Sequence, residues 1–222
     1  GRDRLAALVD WQEAECRRLG VEIELGVDAP DAADVGCTGG RPGRRTYELE
    51  DGAVVVDVAD ALAGADLPDG RVVVWDPIGG PIAVSFVESL GERGVLVTPD
   101  HIAGNELART GDLVAANARL LGAGVTIERR SALRAVRPGE VELEHRFTGA
   151  RRTIPAAAVV DAGFRLPGEP GPHDLRAGDC VAPRTIHEAV LEGRRAALAL
   201  EHVVLSPPGL ENRDLRATEP PK

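Results

Sequence analysis

The chain has 222 residues, 43% hydrophobic and 28% charged, enough to bury a substantial core in one large domain or in two of roughly 100 residues each. No apolar run approaches the ~20 residues of a membrane helix, and a formal net charge of -10 disfavours non-specific attraction to nucleic acid or to an anionic membrane face. Cys16, Cys37 and Cys180 lie far apart, which fits a reducing, cytoplasmic setting and neither a disulfide frame nor a zinc cage, and Lys222, the only lysine, cannot serve a Schiff base or a phosphate loop within the fold.

From Leu5 through Leu8, Val9, Cys16 and Leu19 the apolar residues recur at helical spacing until Gly20 stops the pattern. The chain has no methionine and opens directly on this helix, which suggests a portion of a longer polypeptide. Val21 to Leu25 alternates apolar and acidic residues, the pattern of a half-buried strand. The segment Val35-Gly36-Cys37-Thr38-Gly39-Gly40-Arg41-Pro42 follows, its glycines allowing close approach of the backbone to a ligand or another chain.

After a strand over Val54 to Val58, the β-branched run Arg71 to Asp76 predicts a buried parallel strand. A glycine-containing turn leads to a helix over Ile82 to Arg93. A strand over Val95 to Thr98, a helix over Leu113 to Leu121 and a strand over Val125 to Glu128 complete the alternation, which implies a parallel sheet with right-handed crossovers. Val141 to Phe147 and Arg151 to Ile154, joined through Thr148-Gly149-Ala150, predict an antiparallel hairpin, and Val159 to Ala162 a closing strand.

Two segments echo each other. Cys37 to Pro42 and Asp161 to Pro167 each end a strand with a small residue and a glycine, with a proline a few positions on, as two related dinucleotide-binding folds in one chain would. The final helix starts near Thr185, where Thr185 and Glu188 have the spacing of a reciprocal N-terminal cap, and its apolar stripe runs from Ile186 to Val204. Residues 206–222 turn polar and proline-rich and read as a loosely held tail.

Chemistry concentrates in Gly178-Asp179-Cys180-Val181-Ala182-Pro183-Arg184-Thr185-Ile186-His187-Glu188-Ala189. A carboxylate just ahead of a capped helix can accept hydrogen bonds from sugar-alcohol hydroxyls while the helix amides face electron-rich oxygens. An ordinary capped loop has the same spacing. His101, His145, His173, His187 and His202 share no ligand spacing with each other or with the cysteines, so no metal site is predicted. No catalytic residue is predicted either.

The Gly178 to Ala189 stretch, with the opening helix and the Thr38-Gly39 turn, resembles the C-terminal part of the old yellow enzyme relatives typified by 2,4-dienoyl-CoA reductase and by trimethylamine or histamine dehydrogenase. The resemblance runs from Gly1 to about Val204. Asp76-Pro77-Ile78-Gly79-Gly80-Pro81 and Val97-Thr98-Pro99-Asp100 look most like members associated with the mycofactocin redox system.

That resemblance implies an N-terminal barrel with FMN and an iron-sulfur cluster, followed by FAD-type and NAD(P)-type Rossmann domains, with a glycine phosphate loop just before Gly1. By matching positions it implies that Arg2, Ala29, Thr38, Gly39, Gly178, Asp179 and Ile186 line FAD, Asp179 at the ribityl chain and Ile186 through its backbone. The expected architecture is an α/β chain of Rossmann-like parallel sheets. A partial FAD-binding domain would comprise residues 1–50 and 168–205, and residues 51–167 would be an inserted NAD(P)-type Rossmann unit. The expected partners are the absent barrel and a small-molecule redox substrate, with self-association left open. This chain alone should bind FAD weakly or not at all.

The inserted unit departs from the family's nucleotide fingerprint. Its glycine positions fall on Asp76, Ile78 and Pro81, and its second strand ends in Thr98-Pro99, with Asp100 the nearest acid. Binding of NAD(P) or ADP there is therefore doubtful. A non-catalytic nucleotide-binding or docking domain remains the alternative, and an independent Rossmann dehydrogenase is poorly served without an intact glycine loop.

Overall fold

The computed structural model describes residues 2–27, 33–168 and 175–205. The N-terminal helix α1 (Arg2–Arg18) is followed by short strands β1 (Val35–Gly36), β2 (Gly40–Pro42), β3 (Glu48–Leu49) and β4 (Val55–Asp57). Helix α2 (Val58–Leu62) leads to β5 (Val72–Trp75), α3 (Pro81–Leu90), β6 (Gly94–Val97), α4 (Leu113–Gly122) and β7 (Thr126–Glu128). The strands β8 (Ser131–Arg137), β9 (Glu140–His145), β10 (Arg151–Pro155), β11 (Ala158–Asp161), β12 (Arg165–Pro167) and β13 (Leu175–Arg176) then precede α5 (Ile186–Leu205).

Five strands form a parallel sheet in the order β4-β11-β5-β6-β7. Alternation along each strand divides its side chains between two cores. Val72, Val74, Leu96 and Val160 face α2, α3 and α4, burying Phe86, Val87 and Leu120 with them. Val73, Trp75, Val95, Val97 and Val159 face the other way, against Leu133, Val136, Val141 and Leu143 of a second sheet. Because both faces are covered, β5 and β6 are buried along their whole length, which is why they read as unbroken apolar runs. Each fully buried valine contributes roughly 1.5–3 kcal/mol.

The second sheet has the order β10-β9-β8-β3. The predicted hairpin is its β9-β10 pair, antiparallel with Arg151 opposite Glu144. The sequence reading left β8 unassigned. Its alternation slips at a register shift between Leu133 and Ala135, after which Ala135 and Val136 are both buried, and this breaks the period of two that would have marked a strand.

The segment predicted as a strand over Val21 to Leu25 has no strand structure. Val21, Ile23 and Leu25 are exposed, and among the described residues no neighbouring strand accepts their backbone groups. An alternating pattern becomes a strand only when a partner is there to pair with it. Residues 206–222 lie outside the described residues.

The two echo segments pair with each other. Strand β12 runs antiparallel to β2, Arg165 opposite Pro42 and Pro167 opposite Gly40. At this crossing a Cβ on Gly43 would sit 2.4 Å from the Phe164 carbonyl oxygen, which accepts the Gly43 amide at 2.7 Å. This close backbone approach is to another stretch of the same chain, at a glycine just past the segment expected to approach a ligand or another chain.

Candidate functional site

The site starts from a two-stranded parallel pair. Val35 lies opposite Leu175 and Gly36 opposite Arg176, so β1 and β13 end side by side. The Ala177 amide extends the ladder by donating to the Gly36 carbonyl at 3.1 Å. Beyond those carboxyl ends lie Cys37-Thr38-Gly39 on one strand and the 3-10 turn Gly178–Cys180 on the other. In open parallel sheets this is where ligands bind, because the strand ends leave a crevice ringed by turning backbone.

The turn is anchored from beneath. Cys180 is buried, with its thiol 3.3 Å from the Gly36 carbonyl and 3.2 Å from the Ala177 carbonyl. Gly178 has φ 79°, a left-handed conformation that favours glycine, and its amide donates to Glu192 Oε2 of α5 at 2.8 Å. Glu192 is also paired with Arg184. The Gly178 amide is thus committed to the protein, and Gly178 serves the site by shaping the turn.

With the backbone fixed in this way, Asp179 is half-buried and makes no hydrogen bond or ion pair among the described residues. Its Cβ is close enough to β2 that a Cβ on Gly40 would lie 3.5 Å away, with Pro183 and the Leu166 carbonyl closer still. Gly40 therefore keeps this wall open, and the sequence reading did not single it out. Thr38 and Gly39 precede it, Gly39 with φ 76°, and Gly168 packs so tightly that a Cβ there would meet the Gly39 carbonyl at 2.8 Å.

Helix α5 starts over the same turn, a Cβ on Gly178 lying 3.8 Å from Ala189 Cβ. The predicted reciprocal cap forms in one half: the Thr185 hydroxyl accepts the Glu188 amide at 3.5 Å, while Glu188 Oε2 accepts from that hydroxyl at 3.0 Å in place of the Thr185 amide. The Ile186 amide, in the first turn, has no intrahelical acceptor and is available to a ligand. Thr38, Gly39, Gly178, Asp179 and Ile186 thus come to one end of the β1-β13 pair. Arg2 has its side chain outside the described residues. It starts α1, whose described hydrogen bonds and ion pairs all close within residues 2–21, such as Arg17 with Glu13 and Arg18 with Glu15. Ala29 lies outside the described residues.

In the inserted unit the strand-turn-helix runs from β5 through Asp76–Gly80 to α3. Asp76 is 1% exposed, and its Oδ1 accepts the Gly79 amide at 2.8 Å and the Ile78 amide at 3.2 Å. Among the described residues its Oδ2 is buried without a hydrogen-bond partner. Burial pushes the carboxyl up to about 6, against the pull of the loop amides, and the nearby Asp100 carboxylate adds to the rise. Asp100 sits against the back of Gly79, where a Cβ would meet its Oδ2 at 2.9 Å.

A cleft opens at the carboxyl ends of β4, β11 and β5, where the strand order reverses. Asp57, Trp75, Asp161 and Phe164 line it, with Arg44 and Arg45 along its rim. Its acids are already engaged. Asp57 pairs with Arg165 at 3.1 Å and caps α2 through the Ala59 amide, and Asp161 accepts from Tyr47 and from the Gly163 amide. Among the described residues no group of three or more His, Cys, Asp or Glu is placed to hold a metal ion, and no helix is long and apolar enough to cross a membrane.

No family model matches the chain. It is 27% identical to the N,N-dimethylglycine/sarcosine dehydrogenase of Chromohalobacter salexigens, over 87% of this chain and 36% of that protein. Among solved structures it superposes on a 2-naphthoyl-CoA reductase with a TM-score of 0.75 at 22% identity, over 86% of this chain and 31% of that one. It superposes on histamine dehydrogenase from Rhizobium sp. 4-9 with a TM-score of 0.69 at 22% identity, over 84% and 33%. The chain thus spans about a third of the length of the proteins it matches. What it shares with them is the fold, an α/β architecture of Rossmann-like parallel sheets found in these oxidoreductases.

Proposed function

We propose that this chain is the C-terminal dinucleotide-binding portion of a flavin-dependent oxidoreductase, and that it holds FAD, or the adenine nucleotide part of one, at the end of the β1-β13 pair. The observation that carries this reading is Asp179, a carboxylate without a partner among the described residues, on a turn held by Cys180 and Glu192 between the Thr38-Gly39 turn and the start of α5. Its chemistry is that of a hydroxyl acceptor, while the free Ile186 amide and the helix start suit a carbonyl or phosphate oxygen. The residues present fit the middle of a flavin dinucleotide. Once bound, the flavin would supply the electron-transfer chemistry, and the chain's part is to bind and orient it.

In this reading residues 1–50 and 168–205 are one cofactor domain, and residues 51–167 are inserted into it. A preceding barrel with FMN and an iron-sulfur cluster would exchange electrons with the site and contact the substrate. The similarity to a dehydrogenase over 87% of the chain supports the reaction class. The test is flavin absorbance of the polypeptide that includes the coding sequence upstream of Gly1, beside its Asp179→Ala variant. Retained FAD in the first, and a loss of roughly 10- to 100-fold in affinity in the second, are expected for one charge-assisted hydrogen-bonded contact. A colourless longer polypeptide would overturn the proposal in favour of a non-catalytic nucleotide-binding or docking domain, the alternative that the altered turn at Asp76 favours.

A further inference from the structure

We infer that Asp76 is the residue that closes the inserted unit to dinucleotides: its side chain occupies, from within, the amide cradle that a pyrophosphate would need. This inference stands apart from the reading of the Asp179 site, because it concerns a different strand end and a different ligand.

A strand-turn-helix of this kind binds a pyrophosphate when the turn leaves room for it and when loop amides and the helix start point at its oxygens. Here the strand is β5, the helix is the ten-residue α3, and the turn is Asp76–Gly80. The geometry of an anion site is present, yet the anion is Asp76. Its Oδ1 takes the Gly79 amide at 2.8 Å and the Ile78 amide at 3.2 Å. Pro81, at the first position of α3, has no N–H to offer. The Ile78 and Gly79 amides are therefore engaged, the Gly80 amide also draws on the carboxyl, and the first position of α3 has no donor.

The three positions that depart from the glycine fingerprint are not equivalent. Ile78 is 37% exposed, with its Cγ2 3.6 Å from where a Cβ on Gly80 would sit, and Pro81 suits the start of a helix. Only Asp76 is turned inward and sealed, 1% exposed, with Oδ2 buried and unpartnered. The unpartnered Oδ2 is unfavourable for the fold, while Oδ1 holds the turn through the Ile78 and Gly79 amides. Asp100 backs the same turn through Gly79. An incoming pyrophosphate would have to displace one buried carboxylate and lie beside a second. Repulsion and lost space act together, and both are relieved by removing a single side chain.

The experiment is a titration of the 222-residue chain with NADH and with NADPH, following their fluorescence and the hydrogen exchange of amides 78–80. The wild type, Ile78→Gly and Asp76→Asn are expected to show no saturable protection of those amides, since Asn keeps an oxygen for the Ile78 and Gly79 amides. Asp76→Gly and the more conservative Asp76→Ala are expected to gain it, binding at least roughly tenfold more tightly than the wild type. The inference is overturned if the wild type protects amides 78–80 on adding either nucleotide, a result that needs no variant to fold. It is equally overturned if the two opened variants, folded by circular dichroism, bind no better than the wild type. A flavin titration of the same variants, unchanged from wild type, separates this result from the fate of the Asp179 proposal.

Discussion

Tyr47 and Asp161 are 114 positions apart in sequence and joined by a 2.7 Å hydrogen bond, the phenol donating to Oδ2. The bond ties the segment that enters β3 to the carboxyl end of β11, beside the cleft rimmed by Arg44 and Arg45. Burial, then the Asp161 hydrogen bond and its charge, hold the phenol above the usual tyrosine range, while Arg45 opposes the rise. Tyr47→Phe should cost roughly 1–2 kcal/mol in urea unfolding, because Asp161 Oδ2 loses its donor. Unchanged stability would mean that the bond is replaced by water.

Asp76 predicts a pH dependence of unusual sign for a carboxylate. Its folded pKa, about 6, lies above the ordinary value of 3.8, so the folded state binds the proton more tightly. The resulting stability is fully present below about pH 4, falls as pH rises towards 6 and is absent above it. Between pH 4 and 7, the unfolding free energy of the wild type relative to Asp76→Asn should fall by about 2 kcal/mol. A difference that stays flat across this range would place the Asp76 carboxyl in the ordinary carboxylate range.

Glu192 supports the Asp179 turn from α5 through the Gly178 amide and Arg184. Glu192→Gln leaves an acceptor but removes the charge. The expected result is faster hydrogen exchange at Gly178 and a loss of about 1 kcal/mol, with α5 itself intact by circular dichroism. Exchange at Gly178 as slow as in the wild type would assign the turn's rigidity to Cys180 alone.

Gly43→Ala tests the β2-β12 crossing. A Cβ 2.4 Å from the Phe164 carbonyl oxygen cannot be accommodated without moving backbone. The substitution should cost roughly 1–3 kcal/mol by overpacking and weaken the Gly43–Phe164 hydrogen bond, whereas Gly139→Ala, in open space, is penalised through its φ of 83° alone. Equal melting temperatures for Gly43→Ala and the wild type would show that the crossing yields easily.

Much of this protein was determined locally and was legible in the sequence. The β-branched run before Asp76, the helical stripes of α3 and α4 and the Thr185-Glu188 cap each specify an element from its own residues, since burial on one face or both imposes a period on the chain. Tertiary structure decided the rest. The bulge in β8 hid a strand, and residues 21–25 show strand alternation without a strand to pair with. The pairing of β2 with β12 joins segments more than a hundred residues apart, and no local pattern records a partner at that distance. The same holds for function: Asp179 and Asp76 are both acids at strand-to-helix turns, yet among the described residues one has no partner and the other is sealed onto its own loop amides. That difference lies in the burial and hydrogen-bond geometry of their neighbours, which arise only when distant parts of the chain pack together.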